Sequence, residues 1–197
     1  MTTESTQFTS AKVADLSVGG IRDRNNQSCG ISTKLAEEIG IEDPSESLVL
    51  VNGTSGQTIL RVELFNQSNS LIAVDAVTLN NLGIGKLGQF VGVMKVNADD
   101  INSANKVELL ITSIKDIDRN DVENPEGVLD ACRDFIEQRV SGLTFVDGNK
   151  FEVDVGGDFF INFIVKGGEN GPFMIDIETT IEFKLTRGQV ETQDAYR

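Results

Sequence analysis

Asp116, Asp118 and Asn120 alternate along the segment DIDRNDVENPEG, the spacing at which a calcium loop places oxygen ligands at its positions 1, 3 and 5. Such a loop also needs a glycine at position 6 and a bidentate glutamate at position 12. Asp121 and Gly127 stand there instead. The segment therefore reads as a solvated acidic loop, with Asn124 placed to cap the helix that follows. Phosphate chemistry fares no better. A GxxxxGK[ST] loop supplies backbone amides, a lysine and a magnesium ligand. GTSGQT and GIGKLGQ come nearest and neither fits, so no ATP hydrolysis is expected.

Acid–base chemistry would have to come from carboxylates, because the chain has no histidine. That absence removes the usual catalytic triads, most zinc sites and imidazole proton transfer. Asp75, Asp154 and Asp158 could form acid–base pairs, but no spacing singles out a pair. Asn80 and Asn81 read as residues that satisfy backbone at a helix end. Cys29 and Cys132, the only cysteines, match neither a disulfide framework nor a metal knuckle and read as reduced thiols. Arg22, Arg24 and Arg61 have the chemistry to recognise carboxylates. As surface arginines they read as solvated. No catalytic, cofactor-binding or metal-binding residue is predicted, and no cofactor.

Net charge is −14 and uneven. Residues 1–98 carry 10 acidic and 7 basic side chains, and residues 99–197 carry 21 and 10. Such a surface repels nucleic-acid phosphates and anionic lipid, so neither partner is expected. It could steer a basic protein partner, or reflect a saline cytoplasm. No apolar run approaches the ~20 residues that span a bilayer, and MTTESTQFTS lacks the basic start and apolar core of a signal. These features predict a cytoplasmic protein.

The elements that would position these groups are organised by a repeat. AEEIGI (Ala36 to Ile41) recurs as LNNLGI (Leu79 to Ile84), 43 positions on. Each copy follows two strand-like runs and leads into a third. AKVADLSV and QSCGIS precede the first, and SLVLV follows it. QTILRVELF and SLIAVDA precede the second, and QFVGVMKV follows it. Two copies of strand, strand, short helix, strand predict one closed barrel with an approximate two-fold axis. Thr33 is placed to cap the first helix and Gly40 to close it. Asn52-Gly53 predicts a hairpin turn.

The polar segment NADDINSAN (97–105) marks the boundary. Beyond it KVELLITSI, KFEVDV, DFFINFIVK and TTIEFKL read as strands of a mostly antiparallel sheet. NPEGVLDACRDFIEQRV is the best helix, with Asn124 as N-cap, Pro125 at the first position and an apolar stripe of Leu129, Cys132, Phe135, Ile136 and Val140. The organisation is then a disordered start (1–9), a barrel (10–97), a linker (98–105), a β subdomain (106–186) with one helix at about 125–140, and a tail or linker (187–197).

The order of these segments, and DAVTLNNLGIGKLGQFVGVMKV above all (Asp75, Val77, Asn80, Asn81, Leu82, Gly88 and Val93), resembles the amino-terminal domain of the valosin-containing-protein type of AAA+ ATPase, including its archaeal relatives. The resemblance covers about Phe8 to Leu185. It implies a mainly β fold with minor α: a double-psi β-barrel followed by a small four-stranded clam-like α+β subdomain, with a groove between them. In that family the groove receives adaptors or substrates. Carried over by position, Val62 and Leu64 would face it from the barrel, and Ser103 and Arg139 from the other side. Family members tend to carry larger or aromatic groups at the last two positions. They usually have Gly-Asp where this chain has Gly88-Gln89 and Ser45-Glu46, and they continue into ATPase modules beyond the position of Arg197. The resemblance implies a non-catalytic module that recruits adaptors or substrates to an unfoldase ring, monomeric if isolated and ring-associated if part of an ATPase. Two other readings are a small-molecule enzyme on a double-psi barrel and a free-standing regulator acting on the ring in trans. A barrel interior filled by Val, Ile and Leu would count against the enzyme.

Overall fold

A computed structural model describes residues 7–19, 27–116, 124–156, 159–167 and 171–186. Arg22, Arg24, the calcium-like stretch 117–123, Asp158, residues 1–6 and the tail 187–197 lie outside the described residues. The chain divides into two compact units, Met1–Asn102 and Ser103–Arg197.

The first unit contains β1 (Thr9–Asp15), β2 (Ser28–Ser32), α1 (Thr33–Ile39) and β3 (Leu48–Asn52), then β4 (Gln57–Phe65), β5 (Leu71–Val74), α2 (Ala76–Asn81) and β6 (Phe90–Val96). The six strands form a closed barrel in the order β1-β5-β2-β4-β3-β6. No strand of one repeat pairs with another strand of the same repeat. β1 lies parallel to β5 with Lys12 on Leu71, and β4 lies parallel to β2 with Arg61 on Ser28. β1 lies antiparallel to β6 with Lys12 on Phe90, and β4 antiparallel to β3 with Arg61 on Leu48. Exchanging Lys12 with Arg61, Leu71 with Ser28 and Phe90 with Leu48 turns one set of pairs into the other. The two-fold relation therefore extends to the register. Val13, Ile31, Val51, Leu60, Ile72 and Val93 belong to the aliphatic cluster that fills the interior.

The repeated hexapeptide is a helix stop. Gly40 and Gly83 adopt left-handed backbone, with φ of 72° and 66°. Their N–H groups bond to the Glu37 and Asn80 carbonyls, and the next residues, Ile41 and Ile84, bond back to Ala36 and Leu79 at 2.9 Å each. This pair of bonds is the Schellman ending, and the isoleucine after each glycine enters the core.

The helix starts match as well, and here the cap differs from expectation. Ser32, not Thr33, caps α1: its hydroxyl accepts the Leu35 N–H at 3.2 Å, while the Thr33 hydroxyl donates to the Gln67 carbonyl. Ser32 is the last residue of β2, and its Oγ also accepts the Leu71 N–H at 3.1 Å. Asp75, 43 positions on, caps α2 by accepting the Thr78 N–H at 2.7 Å. β1 is shorter than AKVADLSV suggests. The Asp15 carboxylate accepts the Ser17 N–H and turns the chain into a 3-10 turn.

The Asn52-Gly53 turn is docked rather than free. The Gly53 N–H bonds to the Gly56 carbonyl, and the Thr54 N–H bonds to the Leu82 carbonyl at the end of α2, both at 2.9 Å. A Cβ on Gly53 would run into the Leu82 carbonyl, and one on Gly56 into the Asn81 carbonyl.

In the second unit β8 (Lys106–Asp116), β10 (Lys150–Gly156), β11 (Phe159–Lys166) and β13 (Thr180–Leu185) form a sheet in the order β10-β11-β8-β13. It is antiparallel except where β13 runs parallel to β8. Three short strands that the sequence did not reveal, β7 (Asn102–Ser103), β9 (Thr144–Phe145) and β12 (Phe173–Met174), form a second sheet. The helix α3 (Pro125–Val140) starts as expected, with the Asn124 side chain accepting the Gly127 N–H at 3.0 Å. It buries Leu129, Ile136 and Val140, and half-buries Cys132. Phe135 departs from the expected stripe. One position before Ile136, it is rotated ~100° away at 3.6 residues per turn and is 40% exposed. No described helix is long and apolar enough to cross a membrane.

Gly53→Ala should cost several kcal/mol, on the order of 3, because the clash is with backbone and cannot be relieved by a rotamer change. Gly40 has open space around it, so Gly40→Ala should cost only about 1 kcal/mol for its left-handed φ. Urea midpoints at an unchanged m-value would measure both. Equal losses would rule out the docked turn.

Candidate protein-binding surface

One end of the second unit is built from hydrogen bonds between three chain segments. The Ala104 N–H bonds to the Met174 carbonyl at 2.9 Å, and the Thr180 N–H to the Asn105 carbonyl at 3.0 Å. The Thr179 hydroxyl donates to the Ala104 carbonyl at 2.8 Å and accepts the Asp176 N–H at 3.0 Å. The Asp176 carboxylate in turn accepts the Glu178 N–H at 2.9 Å, and the Ser103 hydroxyl lies beside it. These bonds hold the turn 175–179 in one shape. Ile177 stands at its tip, 95% exposed.

The third segment is the end of α3. The Gly142 N–H bonds to the Ile175 carbonyl at 2.7 Å, and the Ile175 N–H to the Leu143 carbonyl at 3.0 Å. Arg139 lies three residues before Gly142, with its guanidinium 5.5 Å from the centroid of the exposed Phe135 ring. Ser103 and Arg139 are thus both tied to the 175–179 turn, Ser103 directly and Arg139 through the chain leaving α3. Asp176 and Glu178 flank the Ile177 tip, and on α3 the Arg139 guanidinium lies over the Phe135 ring. Aromatic and arginine side chains are the groups that most often anchor protein contacts.

The barrel residues fall differently. Val62, expected to face a partner, points into the barrel. It is 6% exposed within the core cluster and lies in register with Cys29. Strand alternation gives Leu64 the same side as Val62. Leu64 lies near the end of β4, opposite Ile31, and is 43% exposed.

The remaining candidates have local roles. Asp75 caps α2, and Asp154 accepts the Gly156 N–H at 2.9 Å. Arg61 lies exposed on β4. Burial pushes the Cys29 thiol far up, with the nearby charge of Glu63 adding to the effect. Among the described residues no group of three or more His, Cys, Asp or Glu is arranged to hold a metal ion. Ile177 and its brace were missed in the sequence. The legible signal was Asp176 and Thr179 three apart, a spacing at which each side chain can bond the other's backbone. No protein-family model matches the chain, and no curated protein matches it in sequence.

The Ser103 hydroxyl, then the Glu178 N–H, hold the Asp176 carboxyl below the ordinary carboxylate range. With the folded pKa depressed, the stabilisation is full above the unfolded value near ~4 and disappears as pH falls through the folded value. A carboxyl-detected NMR titration should place the Asp176 midpoint below that of a free aspartate. Ser103→Ala should move it upward. An unchanged midpoint in the variant would show that Ser103 does not hold the Asp176 carboxyl down.

Proposed function

We propose that the chain is a non-catalytic protein-interaction module: a double-psi barrel with a clam-like β subdomain, of the valosin-containing-protein amino-terminal type, that recruits adaptors or substrates to an AAA+ unfoldase in the cytoplasm. The observation that carries this reading is the order of elements along the resemblance. DAVTLNNLGIGKLGQFVGVMKV covers the Asp75 cap, α2, its Schellman ending and β6, and the corresponding elements of the first repeat lie in the same order. The aliphatic filling of the barrel favours binding over a small-molecule enzyme, which needs a cavity with converging polar groups. The working surfaces are Leu64 on the barrel and the end of the second unit that carries Ser103, Phe135, Arg139 and Ile177.

Titrating the isotopically labelled chain with a ubiquitin-like adaptor domain, and separately with an unfoldase ring lacking its own amino-terminal domains, tests this reading. Amide shifts should gather at Leu64 or at Arg139 and Ile177. Arg139→Glu and Ile177→Asp, both exposed, should weaken binding about tenfold each, the ~1.4 kcal/mol expected of an interface anchor. Shifts confined to another face would remove these surfaces from the proposal. No response to either partner would remove the function.

A further inference from the structure

The barrel carries a second exposed surface, on the outer side of β6, β1 and β5. Val91, Val13 and Ile72 point into the core, so their neighbours Phe90, Lys12 and Leu71 point outward. The registers place Phe90 beside Lys12 and Lys12 beside Leu71, which makes one row across three strands. Phe90 is 69% exposed, and Leu87 in the preceding turn is 46% exposed. Phe8 packs over Gly92, where a Cβ would meet the Phe8 ring at 3.1 Å, and extends the apolar face. The turn is fixed to β1: the Gly88 N–H bonds to the Val13 carbonyl and the Val13 N–H to the Gln89 carbonyl, each at 2.8 Å. The patch is therefore preorganised, which lowers the ordering cost of binding.

Two lysines flank the patch, in a chain whose net charge is −14. Lys34, Lys106, Lys166 and Lys184 each have a carboxylate partner. Lys12 and Lys86, which flank Leu87 and Phe90, form no ion pair among the described residues. Two lysines without an ion pair thus stand beside exposed phenylalanine and leucine in a chain of 31 acidic and 17 basic side chains. Covering this face with a purely apolar partner would desolvate the Lys12 ammonium without compensation. A basic partner would be repelled.

We propose that this face binds an acidic, apolar segment of a partner protein, an extended stretch in which aromatic or aliphatic side chains alternate with carboxylates. Phe90, Leu87 and Leu71 take the apolar groups, and Lys12 and Lys86 take the carboxylates. At physiological salt the Debye length is about 8 Å, so these lysines act locally while the chain's distant negative charge is screened. This face shares no residue with the surfaces assigned above, and the inference stands whether or not the chain serves an unfoldase.

The test is an NMR titration of the full chain at physiological salt with a capped octapeptide of alternating aspartate and phenylalanine. Amide shifts should centre on Lys12, Leu87 and Phe90. Replacing the peptide's aspartates with asparagine should weaken binding at least tenfold, as should Lys12→Glu or Phe90→Ser in the protein. Both protein positions are exposed, and an unchanged melting temperature would confirm that the variants fold. Equal binding of the asparagine peptide, or of a lysine version, would overturn the proposal, and so would shifts centred elsewhere. If the Phe90 resonances move with protein concentration in the absence of peptide, a second copy covers the face and the proposal also fails.

Discussion

The first unit rests on one constraint: the backbone of each ββαβ repeat can be satisfied only by the other repeat. β1 bonds to β5 and β6, β2 to β4 and β5, and β3 to β4 and β6. A single repeat has no sheet of its own, only three strands with both edges open. Open edges leave unpaired N–H and C=O groups, which are costly when buried and prone to aberrant pairing when exposed. Closing the barrel removes all of them at once. The arrangement is non-local at every strand, so the chain must close long loops before any ladder forms, and topologies of this kind fold slowly.

The helices reinforce the same interlock. The Ser32 hydroxyl holds the start of α1 in the first repeat and the first residue of β5 in the second. The Lys95 ammonium of β6 donates to the Gly40 carbonyl at the end of α1, at 3.1 Å. In the other direction, the Leu82 carbonyl at the end of α2 receives the Thr54 N–H from the turn that leaves β3. This explains why the duplicated hexapeptide is so regular. Its glycine supplies the left-handed residue, its isoleucine enters the core, and the carbonyls around it are acceptors for the opposite repeat. A wall fixed in this way can present Phe90 and Leu64 without moving them.

The strands were legible because each alternates or runs apolar over four to nine residues, as in QTILRVELF. Their pairing was not, since period-two patterning says which face is buried and nothing about which strand lies beside it. Two-residue strands such as Thr144–Phe145 are too short to show a period at all. Thr33 and Ser32 are equally good caps by residue type, and only the backbone decides between them: Ser32 is extended while Thr33 is already helical. Val62 was misplaced because a resemblance carries over positions along a strand and not their depth. Two residues on, Leu64 has the same parity and a different exposure because the barrel ends there. The apolar tip at Ile177 could not be found by periodicity, since it lies in a turn.

The aspartates show how the turns between these elements are held. Asp15, Asp43, Asp75, Asp154 and Asp176 each accept a backbone N–H two or three residues further on, from Ser17, Ser45, Thr78, Gly156 and Glu178. Such bonds stabilise the ionised carboxylate, and the Asp15, Asp43 and Asp176 carboxyls are indeed held low by these serine and turn contacts. A general acid working near neutral pH needs the opposite, a carboxyl raised by burial or by a like charge. These side chains are turn locks. Two of the turns they fix carry exposed apolar residues, Val18 after Asp15 and Ile177 after Asp176. Acidic charge and rigid turns are, in this chain, two consequences of the same residues.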